Sequence, residues 1–142
     1  MYSEIIIKTY DKIKTELVWK AWADVNNWPR WDTELAYCDL TTPFQASSQF
    51  LLKPKNGPKV KITLAEVVPN KRFTATCRFL GATMTHVHEL NGDNEKLEIK
   101  HIISLAGPFS FIWNYLVVKH IVKAVPVQTD NMIEYISRGM NE

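Results

Sequence analysis

The chain has 142 residues, a formal net charge of +2, 46% hydrophobic residues and 23% charged residues. The length suits one domain, 1–142, with a core of its own, and the composition excludes a disordered polymer. The positive charge is weak and scattered, so no nucleic-acid partner is expected.

Two cysteines, Cys38 and Cys77, are too few for a disulfide framework. The first ten residues carry Glu4 and Lys8 among their isoleucines and do not read as a signal peptide. The most apolar stretch, 109–118, is followed by Lys119 and His120 and falls well short of the roughly 20 residues a membrane span needs. A cytoplasmic location, reduced thiols and no stable membrane insertion are therefore expected.

In chain order, residues 3–10 alternate Glu4, Ile6, Lys8 against Ile5, Ile7, Thr9 and predict a strand. Residues 15–25 carry Val18, Ala21, Trp22 and Val25 at helical spacing, with Glu16 in the first turn, where the helix dipole favours an acid. Asn26 and Asn27 end that helix, and Trp28-Pro29-Arg30-Trp31-Asp32 predicts a second short helix or turn. Four of the five tryptophans lie between Trp19 and Trp31, so large amphipathic rings serve something local.

From Leu35 the period changes to two. Six strands are predicted, at about 35–41, 46–54, 59–68, 71–80, 83–91 and 95–105, with turn residues between them. Such short connections require antiparallel neighbours. Gly107-Pro108 then opens a long helix with apolar residues at Phe109, Ile112, Trp113, Leu116 and His120-Ile121. Pro126 should kink it, and Gly139 is placed to cap it.

The turns suggest registers. A two-residue Pro69-Asn70 loop sets Val60, Ile62, Leu64 and Glu66 opposite Phe79, Cys77, Ala75 and Phe73. The next hairpin sets Met84, His86, His88 and Leu90 opposite those four residues in the same order. The last sets Leu97, Ile99, His101 and Ile103 opposite Leu90, His88, His86 and Met84. One inner row then reads Ile62, Cys77, His86, His101, with His88 one step along and His120 on the apolar side of the long helix.

Residues 18–32, Val-Trp-Lys-Ala-Trp-Ala-Asp-Val-Asn-Asn-Trp-Pro-Arg-Trp-Asp, resemble the opening signature of the polyketide cyclase/dehydrase branch of the START-like superfamily, also called the SRPBCC or birch-pollen-allergen-like fold. His101-Ile102-Ile103-Ser104-Leu105-Ala106-Gly107-Pro108 looks like its last strand entering the C-terminal helix. The resemblance covers essentially the whole chain. It implies an α+β helix-grip fold: a seven-stranded curved antiparallel sheet wrapped on a long C-terminal helix, with two short helices between strands 1 and 2. It also implies a cavity between sheet and helix. Trp31 and Asp32 match a pair that is mainly structural in such proteins.

The implied function is binding of a small hydrophobic or aromatic ligand, lipid- or polyketide-like, in that cavity. The lining expected is Trp28, Phe73, Cys77, Phe79, Met84, His86, His88, Ile99, His101, Ile112, Leu116 and His120. The alternative is a cyclase- or dehydratase-type enzyme with His86 and His101 as acid–base candidates, since histidine titrates near neutrality. A third reading is a protein-interaction or co-chaperone-type domain, and a homodimer stays open. Cys77 beside an imidazole could be an activated nucleophile. Cysteine with histidines is chemically adequate for zinc, but two of the histidines come from one strand and no acidic second shell is visible, so neither metal nor cofactor is expected. Trp28 reads equally as a pocket mouth or as a pin, and Glu66 as an exposed or a buried carboxylate.

Overall fold

A computed structural model describes residues 2–139. Strand β1 (Tyr2–Asp11) is followed by α1 (Thr15–Ala23) and a 3-10 turn at Val25–Arg30. Six more strands follow: β2 (Leu35–Asp39), β3 (Gln49–Pro54), β4 (Val60–Val68), β5 (Arg72–Phe79), β6 (Ala82–Gly92) and β7 (Lys96–Ala106). The chain then turns into a helical segment made of α2 (Ser110–Trp113), a π-helical stretch (Asn114–Val118) and α3 (Lys119–Ser137). The described residues form one curved, fully antiparallel sheet in the order β1-β7-β6-β5-β4-β3-β2. This is the helix-grip architecture the resemblance implies.

The element types follow from residue chemistry. Alternating apolar and polar residues give β7 a strictly alternating burial pattern, with Leu97, Ile99, His101, Ile103 and Leu105 inward. Asn26 links the 3-10 turn to the sheet edge. Its amide donates to the Leu40 carbonyl at 3.1 Å and accepts the Leu40 N–H at 2.7 Å, as a neighbouring strand would. The core is aromatic around α1: Trp22 meets Phe73 edge-on at 5.3 Å, and Trp19 and Phe44 complete the cluster.

Three features differ from the pattern-based expectation. First, Ile62 pairs with Cys77 and Leu64 with Ala75 as expected, but a bulge between Leu64 and Glu66 shifts the rest. Glu66 therefore pairs with Thr74, leaves the inner face and binds Arg72 at 2.9 Å. Second, the β5–β6 loop is the two-residue Leu80-Gly81, so Cys77 lies opposite Met84, Ala75 opposite His86 and Phe73 opposite His88. Gly92 pairs with Leu97, which sets His88 opposite His101 and His86 opposite Ile103. Both registers slide by two residues. Inward faces are preserved because the side-chain period is two, but the expected row Ile62–Cys77–His86–His101 is replaced by Phe73–His88–His101–Ile6.

Third, the C-terminal helical segment turns a different face to the sheet. Val118, Val125, Thr129, Met132 and Ile136 are buried, whereas Ile112, Leu116 and His120 are not. The π stretch accounts for this. Its wider turn places Val118 five positions after Trp113, which stacks on Phe79. An uninterrupted α-helical period, assumed from sequence, carries the stripe to Leu116 and His120 instead.

Candidate functional site

The chemistry of the inner face is concentrated on β6 and β7. Period-two alternation aims His86 and His88 at the same side, and antiparallel pairing brings His101 directly opposite His88. His86 Nε2 and His101 Nδ1 are 2.9 Å apart. His101 Nε2 lies 3.2 Å from Thr129 Oγ1 on α3, and Thr129 donates its hydroxyl hydrogen to the Val125 carbonyl at 2.7 Å.

These contacts fix the tautomers. Thr129 has one hydrogen and gives it to Val125, so it accepts from His101 Nε2–H. A neutral His101 then has a bare Nδ1, which accepts from His86 Nε2–H. The result is a directed chain, from His86 through His101 and Thr129 to the helix backbone. His88 lies between Phe73, stacked at 4.0 Å, and His86, stacked at 3.7 Å. Trp22 closes over the group, edge-on to His88 and His101. Among the described residues, His88 Nδ1 is a buried polar atom with no hydrogen-bond partner.

Burial holds all three imidazoles in the neutral form. It lowers His101 to about 4, and it holds His86 and His88 well below the usual histidine range, with neighbouring imidazoles adding to the effect. His101 is 3% exposed, while His86 and His88 keep some accessible surface.

The other expected lining residues divide. Phe73 and Ile99 are fully buried, and Met84 and Cys77 nearly so. Trp28 packs on Phe50, Phe73 and Trp31, and its indole N–H binds the Trp22 carbonyl at 3.0 Å, so it is part of the core. Phe79 is half-buried and stacks on Trp113 at 4.7 Å. Ile112, Leu116 and His120 lie outside the interior, as described above. Cys77 is flanked by Ile62 and Met84 rather than by an imidazole. Burial raises its thiol, and burial followed by nearby Asp32 pushes Cys38 up to about 12. Neither thiol has the electropositive setting that activates a nucleophile.

One residue went unread in the sequence, and another was read there only as structural. Thr129 is a polar residue at helical spacing on the buried stripe Val125–Thr129–Met132–Ile136, and that misfit is the signal that could have found it. Asp32 is buried, held by the Glu34 N–H at 3.0 Å and by the Gln128 side-chain amide, and burial raises its carboxyl. It borders a surface recess of about 290 Å³ that also takes in His120 and Lys123. There, His120 Nε2 lies 3.4 Å from Glu34 Oε2.

No protein-family model and no curated protein matches this sequence. Solved structures do match. The chain is similar to a hypothetical protein from Helicobacter pylori (TM-score 0.76, 12% identity, 94% of this chain and 87% of that one). It is similar to norcoclaurine synthase from Thalictrum flavum, solved with dopamine and hydroxybenzaldehyde (TM-score 0.69, 10% identity, 96% and 88%). It is also similar to DynU16, a putative protein in the dynemicin biosynthetic locus (TM-score 0.68, 16% identity, 96% of this chain and 48% of that one). These likenesses show the fold alone: this chain has a helix-grip fold similar to that of these structures.

Proposed function

We propose that this protein binds a small, largely apolar or aromatic molecule between the inner face of the sheet and the start of the C-terminal helical segment. The carrying observation is an apolar cluster left exposed at that point. Leu80, Phe109, Phe111, Ile112, Tyr115 and Leu116 are each at least 40% exposed. They flank Trp113 in the chain or, at Leu80, meet it directly: Trp113 covers Phe79 and donates to the Leu80 carbonyl at 2.7 Å. Exposed apolar side chains gathered in this way mark a contact surface rather than ordinary scatter. They stand at the Met84–Leu105 end of the inner face, with His86 the next inward residue along β6. An apolar entry leading to a few polar groups is the usual form of a small-molecule site. Norcoclaurine synthase, which shares the fold, is seen with two aromatic molecules.

The experiment is native mass spectrometry of the protein as isolated, followed by titration with an apolar fluorescent dye. A co-purified organic mass, or saturable dye binding that Leu116→Asp and Ile112→Ser weaken, supports the reading. Absence of both overturns it.

The chain of contacts from His86 to Thr129 favours a second reading, an acid–base enzyme of the cyclase or dehydratase class. Neutral imidazoles joined in series can take a proton at one end and restore it at the other. In that case His101→Gln abolishes turnover of the bound molecule while leaving its affinity within a few-fold. Turnover unchanged in His101→Gln removes the histidine chain from the chemistry, and absence of turnover by the wild type leaves the binding reading alone.

A further inference from the structure

We propose that His86, His88 and His101 form a binding site for one divalent transition-metal ion of the kind imidazole prefers, zinc or a borderline neighbour such as cobalt. The site stands on different residues from the exposed apolar cluster and does not depend on an organic ligand.

One ring nitrogen from each histidine lies within 4.8 Å of the others. The pair His86 Nε2 and His101 Nδ1, at 2.9 Å, is already close to a coordinating separation. With metal–nitrogen bonds of about 2.05 Å, two ligand nitrogens sit about 2.9 Å apart at a right angle and about 3.4 Å apart at the tetrahedral angle. The longest separation in the trio must close by at most about 1.4 Å to reach that spacing, which rotation of an imidazole about its side-chain bonds can supply.

His101 is oriented as a ligating histidine is. Its Nε2–H is held by Thr129, which is itself tied to the Val125 carbonyl, and its Nδ1 lone pair faces the other two rings. Histidines that bind metal characteristically donate their second ring N–H in this way, which fixes both tautomer and direction. His86 Nε2–H now fills that lone pair. A metal would take the place of this hydrogen, and His86 would carry its proton on Nδ1. His88 Nδ1, buried and unpartnered, is the polar atom that most needs a ligand. The low proton affinity of the three rings leaves them neutral at physiological pH, the form in which imidazole coordinates.

The cluster contains no carboxylate. An ion held by three neutral imidazoles keeps its full double charge in a buried place, so its fourth ligand should be an anion: hydroxide, or a phenolate, enolate or carboxylate of a small molecule. Three histidines and an exchangeable fourth position are the pattern of an open site rather than a closed structural one.

The test uses untagged protein stripped with EDTA and dialysed, then titrated with zinc(II) against a chromogenic chelator and with cobalt(II) by visible absorption. Expected are one equivalent of bound zinc, a higher Tm with zinc, and a four-coordinate cobalt spectrum. His88→Gln and His101→Gln should abolish binding, His120→Gln should leave it unchanged, and Thr129→Val should weaken it by about 10- to 100-fold. Failure of the wild type to bind one equivalent, or binding that survives in His88→Gln and His101→Gln, overturns the proposal. If those variants do not fold, X-ray absorption on the zinc-loaded wild type decides: three imidazole nitrogens at about 2.0 Å support the site, and any other ligand set refutes it. Dye binding measured in EDTA keeps the two proposals separate, because loss of either activity leaves the other standing.

Discussion

Acid should unfold this protein through its buried histidines. In the native state burial lowers His101 to about 4, against 6.5 for the ordinary group. Between those values the unfolded chain takes up a proton that the folded one refuses, so stability is full above pH 6.5 and is lost as pH falls toward 4. At about 1.36 kcal/mol per unit of pKa difference, His101 alone accounts for a loss of about 2 kcal/mol between pH 7 and 5 and about 3 kcal/mol by pH 4. His86 and His88 are shifted in the same direction and add to it. Asp32 acts in the opposite sense, because its raised carboxyl pKa makes protonation easier in the folded state. The assay is urea unfolding followed by tryptophan fluorescence, in EDTA, at pH 7, 6 and 5, for the wild type and His101→Gln. The glutamine amide can still meet Thr129 and His86 but cannot titrate. The variant should lose less stability than the wild type over this interval, by about 2 kcal/mol. Equal slopes for the two proteins would refute the assignment of His101 as a neutral buried imidazole.

Three further outcomes are expected. Gly92→Ala should cost about 2 kcal/mol or more in urea unfolding, because a Cβ there would sit 2.3 Å from the Lys96 carbonyl oxygen at a φ of +96°. Cys38 and Cys77 are both buried, with raised thiols. Iodoacetamide at mildly alkaline pH should therefore label neither until denaturant is added, as read by intact mass. Leu116→Ser should shift stability by no more than about 0.5 kcal/mol, since this side chain is 60% exposed, while weakening apolar dye binding.

The fold was legible because its signals are local and repeated. Alternation from Leu35 onward, turn residues at Pro69-Asn70 and Gly81, and the tryptophan-rich segment after β1 each point to the same architecture. Inward faces were equally legible: a register error of two residues leaves every side chain on its own face, so His86, His88 and His101 were placed on one side despite wrong partners. The partners themselves were not legible. The Leu64–Glu66 bulge and the exact ends of the β5–β6 and β6–β7 hairpins depend on backbone geometry that no residue pattern announces. Thr129 was legible only as the polar misfit in the stripe Val125–Met132–Ile136, while the face of the segment before it depends on a π turn with no compositional signature.

That π turn also has an arithmetic consequence. Val118 lies five positions after Trp113, where an α-helix would return to the same side after four. The segment therefore holds one residue more than its span requires, and Tyr115, 75% exposed, sits within the surplus. Deleting Tyr115 would bring the two inward residues into ordinary α-helical spacing and leave the faces of Val125, Thr129 and Met132 where they are. The same deletion two turns later, within α3, would rotate everything before it by about 100° and carry Val118 off the sheet. Tolerance to the loss of a residue is thus confined to the few residues of the π turn, and there the chain can shed one without disturbing the helix whose Thr129 meets His101.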